Sequence, residues 1–205
     1  MRNKRRIIST ALIVTGLILL AGAGTLFFNN MIENNRFQED SGELVSRVAS
    51  GISEAQQTDI PDDTSASKEH EDMPDGETVE IDGEIYDGIL TIPSIDLEMA
   101  VYDTWNEDLL RKSVCRYYGS AGTSDLVIAG HNYRSGFGKL KELMPGAEVF
   151  FTDASGTVYS YVVDETEVLP GTAVSEMIGS EWDMSLYTCT YGGRSRFTVR
   201  CRLSR

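Results

Sequence analysis

The chain has 205 residues, 41% hydrophobic and 24% charged, which leaves room for one domain plus appended segments. Its formal charge of −14, with no basic patch beyond the C-terminal arginines, argues against nucleic-acid binding. Three cysteines, no CxxC pair and two histidines offer no zinc-ligand spacing, so neither a metal nor a cofactor is expected.

The N-terminus is basic and then apolar. Residues 1–6 carry Arg2, Lys4, Arg5 and Arg6, and residues 7–28 run for 22 positions without a charge. At about 1.5 Å per residue such a run spans a bilayer as a helix. The basic flank places the N-terminus in the cytoplasm by the positive-inside rule. The small residues Ala21-Gly22-Ala23 leave a cleaved signal peptide as the alternative, although its apolar core would be only about 7–15 residues long. Both readings export everything after residue 30, and three cysteines in an exported chain leave at least one without an intrachain partner.

Residues 29–85 read as an extracytoplasmic acidic spacer. Positions 53–87 hold thirteen acids and one base, Lys68, whereas 88–205 hold fifteen acids and eleven bases. So polar a stretch buries too little apolar surface to offset its ordering entropy, and its like charges extend it. His70 lies inside it and reads as a solvated histidine. A short helix continuing from the membrane is expected somewhere within 29–47.

The folded part is expected at 86–205. Short apolar or alternating runs recur at Ile89–Ile92, Met99–Tyr102, Leu126–Ala129, Val149–Thr152, Val158–Val163, Glu167–Leu169, Ser185–Thr190 and Arg196–Cys201. These eight candidate strands, with short helices at Asn106–Lys112 and Ala173–Ile178, predict an all-β closed or nearly closed barrel. Asp153-Ala154-Ser155-Gly156 reads as a hairpin connection.

Three residues of complementary chemistry fall at strand ends. Cys189 closes Leu186-Tyr187-Thr188-Cys189, His131 follows Leu126-Val127-Ile128-Ala129-Gly130, and Arg196 opens Arg196-Phe197-Thr198-Val199. A thiol becomes a good nucleophile beside a base or a cation, and an acyl-transfer oxyanion needs a donor. Arg194 rivals Arg196, and a regular strand puts Arg196, Thr198, Arg200 and Arg202 on one face. Cys115 and Cys201 read as buried structural thiols.

These motifs resemble the sortase family, the membrane-anchored cysteine transpeptidases of mainly Gram-positive bacteria. Gly88-Ile89-Leu90-Thr91-Ile92-Pro93-Ser94-Ile95 is similar to the strand that opens their domain. Val127–Asn132 is similar to the strand carrying the catalytic histidine, Leu186–Cys189 to the TLxTC strand, and Arg196–Val199 to the arginine strand. The resemblance covers 86–205 and implies an eight-stranded sortase-type β-barrel preceded by one N-terminal transmembrane helix. It implies Cys189 as nucleophile, His131 as general acid/base and Arg196 as oxyanion or substrate stabiliser, with Thr188 and Arg194 as candidate substrate contacts.

The implied reaction is cleavage of an LPxTG-like sorting signal of an exported protein through a thioacyl intermediate. Transfer then follows to an amine acceptor from a peptidoglycan precursor or a pilin. The subclass stays open, and 73–87 is a candidate lid. The loop after His131 is basic, so no calcium requirement is expected. The alternatives are another cell-wall cysteine enzyme, such as an L,D-transpeptidase or amidase, and a non-catalytic membrane-anchored binding module. Papain-like and amidase folds usually place cysteine before histidine, the reverse of the order here.

Overall fold

The computed structural model describes residues 2–57, 77–179 and 181–204, apart from the side chains of 2–12, 30, 33 and 36. Helix α1 spans Arg2–Gln57, and the chain divides into two units, residues 1–36 and 37–205. In the first unit Leu17, Leu20, Leu26, Phe27 and Phe28 are exposed. The span expected at 7–28 begins among side chains outside the described set. Among the described residues no helix is long and apolar enough to cross a membrane.

Among the described residues of the second unit, nine strands form one sheet. They are β1 (Val79–Ile81), β2 (Glu84–Ile92), β3 (Leu97–Tyr102), β4 (Val114–Tyr118), β5 (Leu126–Gly130), β6 (Glu148–Asp153), β7 (Val158–Pro170), β8 (Met184–Cys189) and β9 (Ser195–Leu203). Their order is β1-β2-β3-β4-β5-β8-β9-β7-β6, and β6 pairs back onto β2, so β2 to β9 close an eight-stranded barrel. Pairs β3–β4 and β5–β8 are parallel; the others are antiparallel. Strand alternation sends Leu90, Ile92, Leu126, Ile128, Met184, Leu186 and Val199 inward, where they form the main core with Phe137 and Phe151.

A second apolar cluster lies on the outer face of β2 to β5. It joins Tyr86, Ile89, Ala100, Tyr102, Cys115 and Ala129 to Leu44, Val45, Val48 and Ile52 of α1. Those helical positions, with Phe37, recur at one-face spacing, which is the reason this polar stretch folds onto the barrel. The helix expected within 29–47 is present and runs on to Gln57, while β1 and the start of β2 lie within the stretch expected as spacer. Residues 58–76, with His70, Lys68 and the first part of the candidate lid, lie outside the described residues. Asp82 and Gly83, at φ 53° and 79°, make the tight β1–β2 hairpin that an Asp-Gly pair favours.

The expected strand count holds by compensation. Val158–Val163 and Glu167–Leu169 are one strand, β7, which a bulge between Val163 and Glu165 carries through its acidic residues. Strand β4 was not among the expected strands, because Arg116 interrupts its apolar run. Arg116 is buried: its Nε lies 2.9 Å from Asp87 Oδ2, and it donates to the carbonyls of Asp103 (2.9 Å) and Gly119 (3.3 Å). The helices expected at Asn106–Lys112 and Ala173–Ile178 are α2 (Glu107–Leu110), capped by Asn106 onto the Asp108 amide at 2.8 Å, and α3 (Val174–Ile178).

Burial holds the Asp87 carboxyl up at about 7 even beside Arg116, so removing Arg116 leaves a buried carboxyl and the Asp103 and Gly119 carbonyls without that donor. Arg116→Ala is expected to lower the free energy of urea unfolding by about 3 kcal/mol or more. A loss below about 1 kcal/mol, the range of an exposed pair, would show that the pair contributes little to the fold.

Candidate active site

The site follows from strand register. Parallel pairing of β5 and β8 sets Gly130 beside Thr188, so the next residues, His131 and Cys189, stand level with each other. Antiparallel pairing of β8 and β9 sets Cys189 directly opposite Arg196. Neighbouring strands lie about 4.8 Å apart, so the three residues occupy one row roughly 10 Å long. Residues level on adjacent strands share a face, and here it is the outer one. Leu126, Ile128, Met184, Leu186 and Val199 take the barrel interior, while Ala129 and Tyr187 lie with the outer cluster.

Each member of the row is held by its surroundings. A Cβ at Gly130 would come within 2.7 Å of Phe137 and 2.9 Å of Val114, so glycine is needed there for the Phe137–Glu142 3-10 helix to pack beneath the histidine. The His131 ring stands 5.4 Å from that of Tyr133, which packs at 4.5 Å on Phe37. His131 Nε2 lies 3.5 Å from Glu107 Oε1 on α2. Arg196 donates from Nη1 to the Gly193 carbonyl at 3.0 Å and to that of Ser195 at 3.4 Å. Gly192 and Gly193, at φ 85° and 70°, form the turn that brings that carbonyl back over β9.

The three thiols are unlike. Cys115 and Cys201 are fully buried, and burial pushes both up to about 12, which keeps them protonated. Cys189 is partly exposed and faces the row. Directly below it on the same face is Tyr187, whose phenol is raised by burial and so stays neutral. Tyr187 stands edge-on to Tyr117 (5.4 Å), which stands edge-on to Trp105 (6.5 Å). The row thus has apolar ground beneath it, an acid at one end and a guanidinium at the other.

The remaining sequence candidates separate clearly. Arg200, on the same face as Arg196, is buried and engaged by Glu167 (2.7 Å), Ser185 (2.7 Å) and the Glu176 carbonyl (2.9 Å). Arg202 stacks on Trp182 at 4.2 Å. Arg194 is exposed in the β8–β9 turn, near the row but outside its register. Thr188 is fully buried on the opposite face from Cys189, and its Oγ1 has no hydrogen-bond partner. Glu107 escaped the sequence reading because it lies 24 positions before His131 in an unremarkable acidic helix start. Among the described residues no group of three or more His, Cys, Asp or Glu converges as a metal site.

A family model described as the Sortase domain matches residues 90–204. Among solved structures, the chain is similar to sortase C1 of Streptococcus agalactiae, at 24% identity over 62% of this chain and 71% of that one, with a TM-score of 0.53. It is similar to sortase A of Listeria monocytogenes, at 23% identity over 58% of this chain and 88% of that one, also at 0.53. A sortase D5 transpeptidase of Clostridium perfringens matches at 16% identity over 82% of this chain and 99% of that one, at 0.57. These structural likenesses establish the barrel fold. No curated protein matches the sequence.

The burial pattern predicts selective thiol chemistry. Iodoacetamide under native conditions is expected to add one carbamidomethyl group per chain, at Cys189 by peptide mapping, and to reach Cys115 and Cys201 only after denaturation. Equal labelling of all three in the folded chain would refute the distinction.

Proposed function

Because this chain belongs to the sortase family, we propose that it is a cysteine transpeptidase that cleaves an LPxTG-like sorting signal on exported proteins and joins the upstream fragment to an amine. The observation that carries this reading is the register of β5, β8 and β9, which sets His131, Cys189 and Arg196 in one row. A chance set of one base, one thiol and one cation would have no reason to fall level on three adjacent strands.

In this mechanism Cys189 attacks the carbonyl carbon of the scissile bond as a thiolate. Arg196, always charged and carrying several donors in a fixed fork, meets the oxyanion. Its bonds to the Gly193 and Ser195 carbonyls come from Nη1, which leaves other donors for substrate. His131 as imidazolium gives its proton to the departing amine, and the C–N bond breaks to leave a thioester and a neutral imidazole. An incoming amine then attacks the thioester, the C–S bond breaks, and His131 takes a proton from the new amide nitrogen. The thiolate–imidazolium pair is restored, and the net change exchanges one amine for another.

The acceptor is an amine of a cell-wall peptide precursor or a pilin. The basic start and uncharged 7–28 run support an N-terminal membrane anchor, with the barrel on the extracytoplasmic side. Such an anchor raises the encounter frequency with substrates that are themselves membrane-tethered. Arg194, exposed in the β8–β9 turn, is a candidate substrate contact outside the row. The burial of Thr188 favours a packing role beneath Cys189 over direct substrate contact.

The test is intact-mass detection of a thioacyl adduct with a panel of LPxTG-like peptides. Wild type is expected to accumulate an adduct that Cys189→Ala abolishes. Arg196→Ala is expected to slow adduct formation about 10²–10³-fold, the usual cost of removing an oxyanion donor. His131→Ala is expected to cost a comparable 10²–10⁴-fold, roughly the contribution of general acid–base catalysis. An adduct persisting in Cys189→Ala would overturn the assignment of the nucleophile.

A further inference from the structure

Arg196 closes one end of the row, and at the other end Glu107 lies beyond His131 with no part in the thioester-forming steps above. Arg196 stands opposite Cys189, where the mechanism above assigns it the oxyanion. At the other end Glu107 Oε1 lies 3.5 Å from His131 Nε2, with 57% of the glutamate side chain exposed, so it keeps acceptor capacity beyond the histidine. Two residues earlier, Trp105 is 47% exposed, an unusual setting for so large an apolar ring. It meets Tyr117 edge-on at 87°. Tyr117 in turn meets Tyr187, on the strand of Cys189, at 89°. The other tryptophan, Trp182, already has the Arg202 guanidinium over its face.

The segment bearing Glu107 and Trp105 is anchored independently of the catalytic row. Asn106 caps α2 through the Asp108 amide, and Leu110 is buried in the outer cluster. Glu107 is therefore held at the histidine by the fold and not by its pairing with the imidazole alone.

The nucleophile of the second half-reaction under the transpeptidase reading is a primary amine, which is a cation near neutral pH. A carboxylate and an aromatic face are the two side-chain types that hold an ammonium group. We propose that Glu107 and Trp105 form the docking site for the ammonium of the acceptor, beside His131 and opposite the Arg196 end. This rests on the transpeptidase reading and adds to it the place and chemistry of acceptor recognition. The docked ammonium loses one proton to water, and its nitrogen then attacks the thioester carbon as the C–S bond breaks. The second nitrogen proton passes to His131, 3.5 Å from the docking carboxylate, and Cys189 leaves as thiolate. Charge separation along the row gives the order of events a physical basis: the oxyanion is stabilised at the cationic end and the ammonium is gathered at the anionic end.

The experiment measures how preformed thioacyl enzyme partitions between water and amine, a ratio that does not depend on how fast the thioester forms. The acceptors are triglycine amide, an ammonium at neutral pH, and hydroxylamine, which is uncharged there. Glu107→Gln and Trp105→Ala are each expected to lower the aminolysis-to-hydrolysis ratio for triglycine amide about tenfold, as loss of a charged hydrogen bond or a cation–π contact implies. The hydroxylamine ratio is expected to stay at the wild-type value, and Glu107→Asp to recover part of the loss. A positioning role through His131 would slow water and both amines alike; unchanged ratios in Glu107→Gln would therefore overturn the proposal. So would an equal fall with hydroxylamine. A wild type that forms no thioacyl enzyme with any sorting peptide would overturn the transpeptidase reading itself, a result distinct from altered partitioning.

Discussion

Everything at the site depends on the backbone register of β5, β8 and β9. Hydrogen-bonded ladders between these strands fix Gly130 beside Thr188 and Cys189 opposite Arg196. A slip of one residue would turn each side chain to the other face and exchange Cys189 for the buried Thr188. The closed barrel prevents that slip, because Leu126, Ile128, Met184, Leu186 and Val199 would all have to leave the core together. Hydrophobic burial inside the barrel thus holds a polar row in place outside it.

The outer face of the sheet is used in two ways. Over β2 to β5 it is apolar and covered by the last turns of α1, with Val48 fully buried. At the strand ends the same face becomes polar and open, and there the thiol, imidazole and guanidinium stand. Phe37 belongs to both regimes: it is buried in the main core and packs on Tyr133, which in turn flanks His131. A helix whose composition looks like spacer therefore contributes to the frame around the histidine. The aromatic line Trp105–Tyr117–Tyr187 ends on the strand that carries Cys189.

Buried polar groups divide into partnered and unpartnered ones. Arg116 and Arg200 are both buried within networks that engage their donors, and both join strands or helices that the apolar core alone would leave loosely specified. Thr188, Thr198 and Tyr161 each bury an oxygen without a hydrogen-bond partner. Two of the three lie on the strands that carry Cys189 and Arg196. The cost of burying an unpaired hydroxyl is paid where the site is built and is offset by the ladders around it.

Much of this was legible in the sequence, because the relevant signals are local. Alternation marks seven of the eight barrel strands, the Gly130-His131 and Thr188-Cys189 steps mark strand ends, and the order His, Cys, Arg separates this chemistry from folds with the reverse order. The Asp82-Gly83 hairpin and the spacing of Leu44, Val45, Val48 and Ile52 were equally local, but the acidic composition around them outweighed the pattern. Strand β4 was hidden because Arg116 looks like a surface residue until Asp87, 29 positions earlier, is known to face it. Fold class, the triad candidates and the buried character of Cys115 and Cys201 were thus determined by the sequence alone, since each follows from residue type and periodicity. The engagement of Arg200 by Glu167 and Ser185, the burial of Thr188 and the pairing of Glu107 with His131 were decided only in three dimensions. Each depends on which distant segment packs against the residue, and chain order carries no information about that distance.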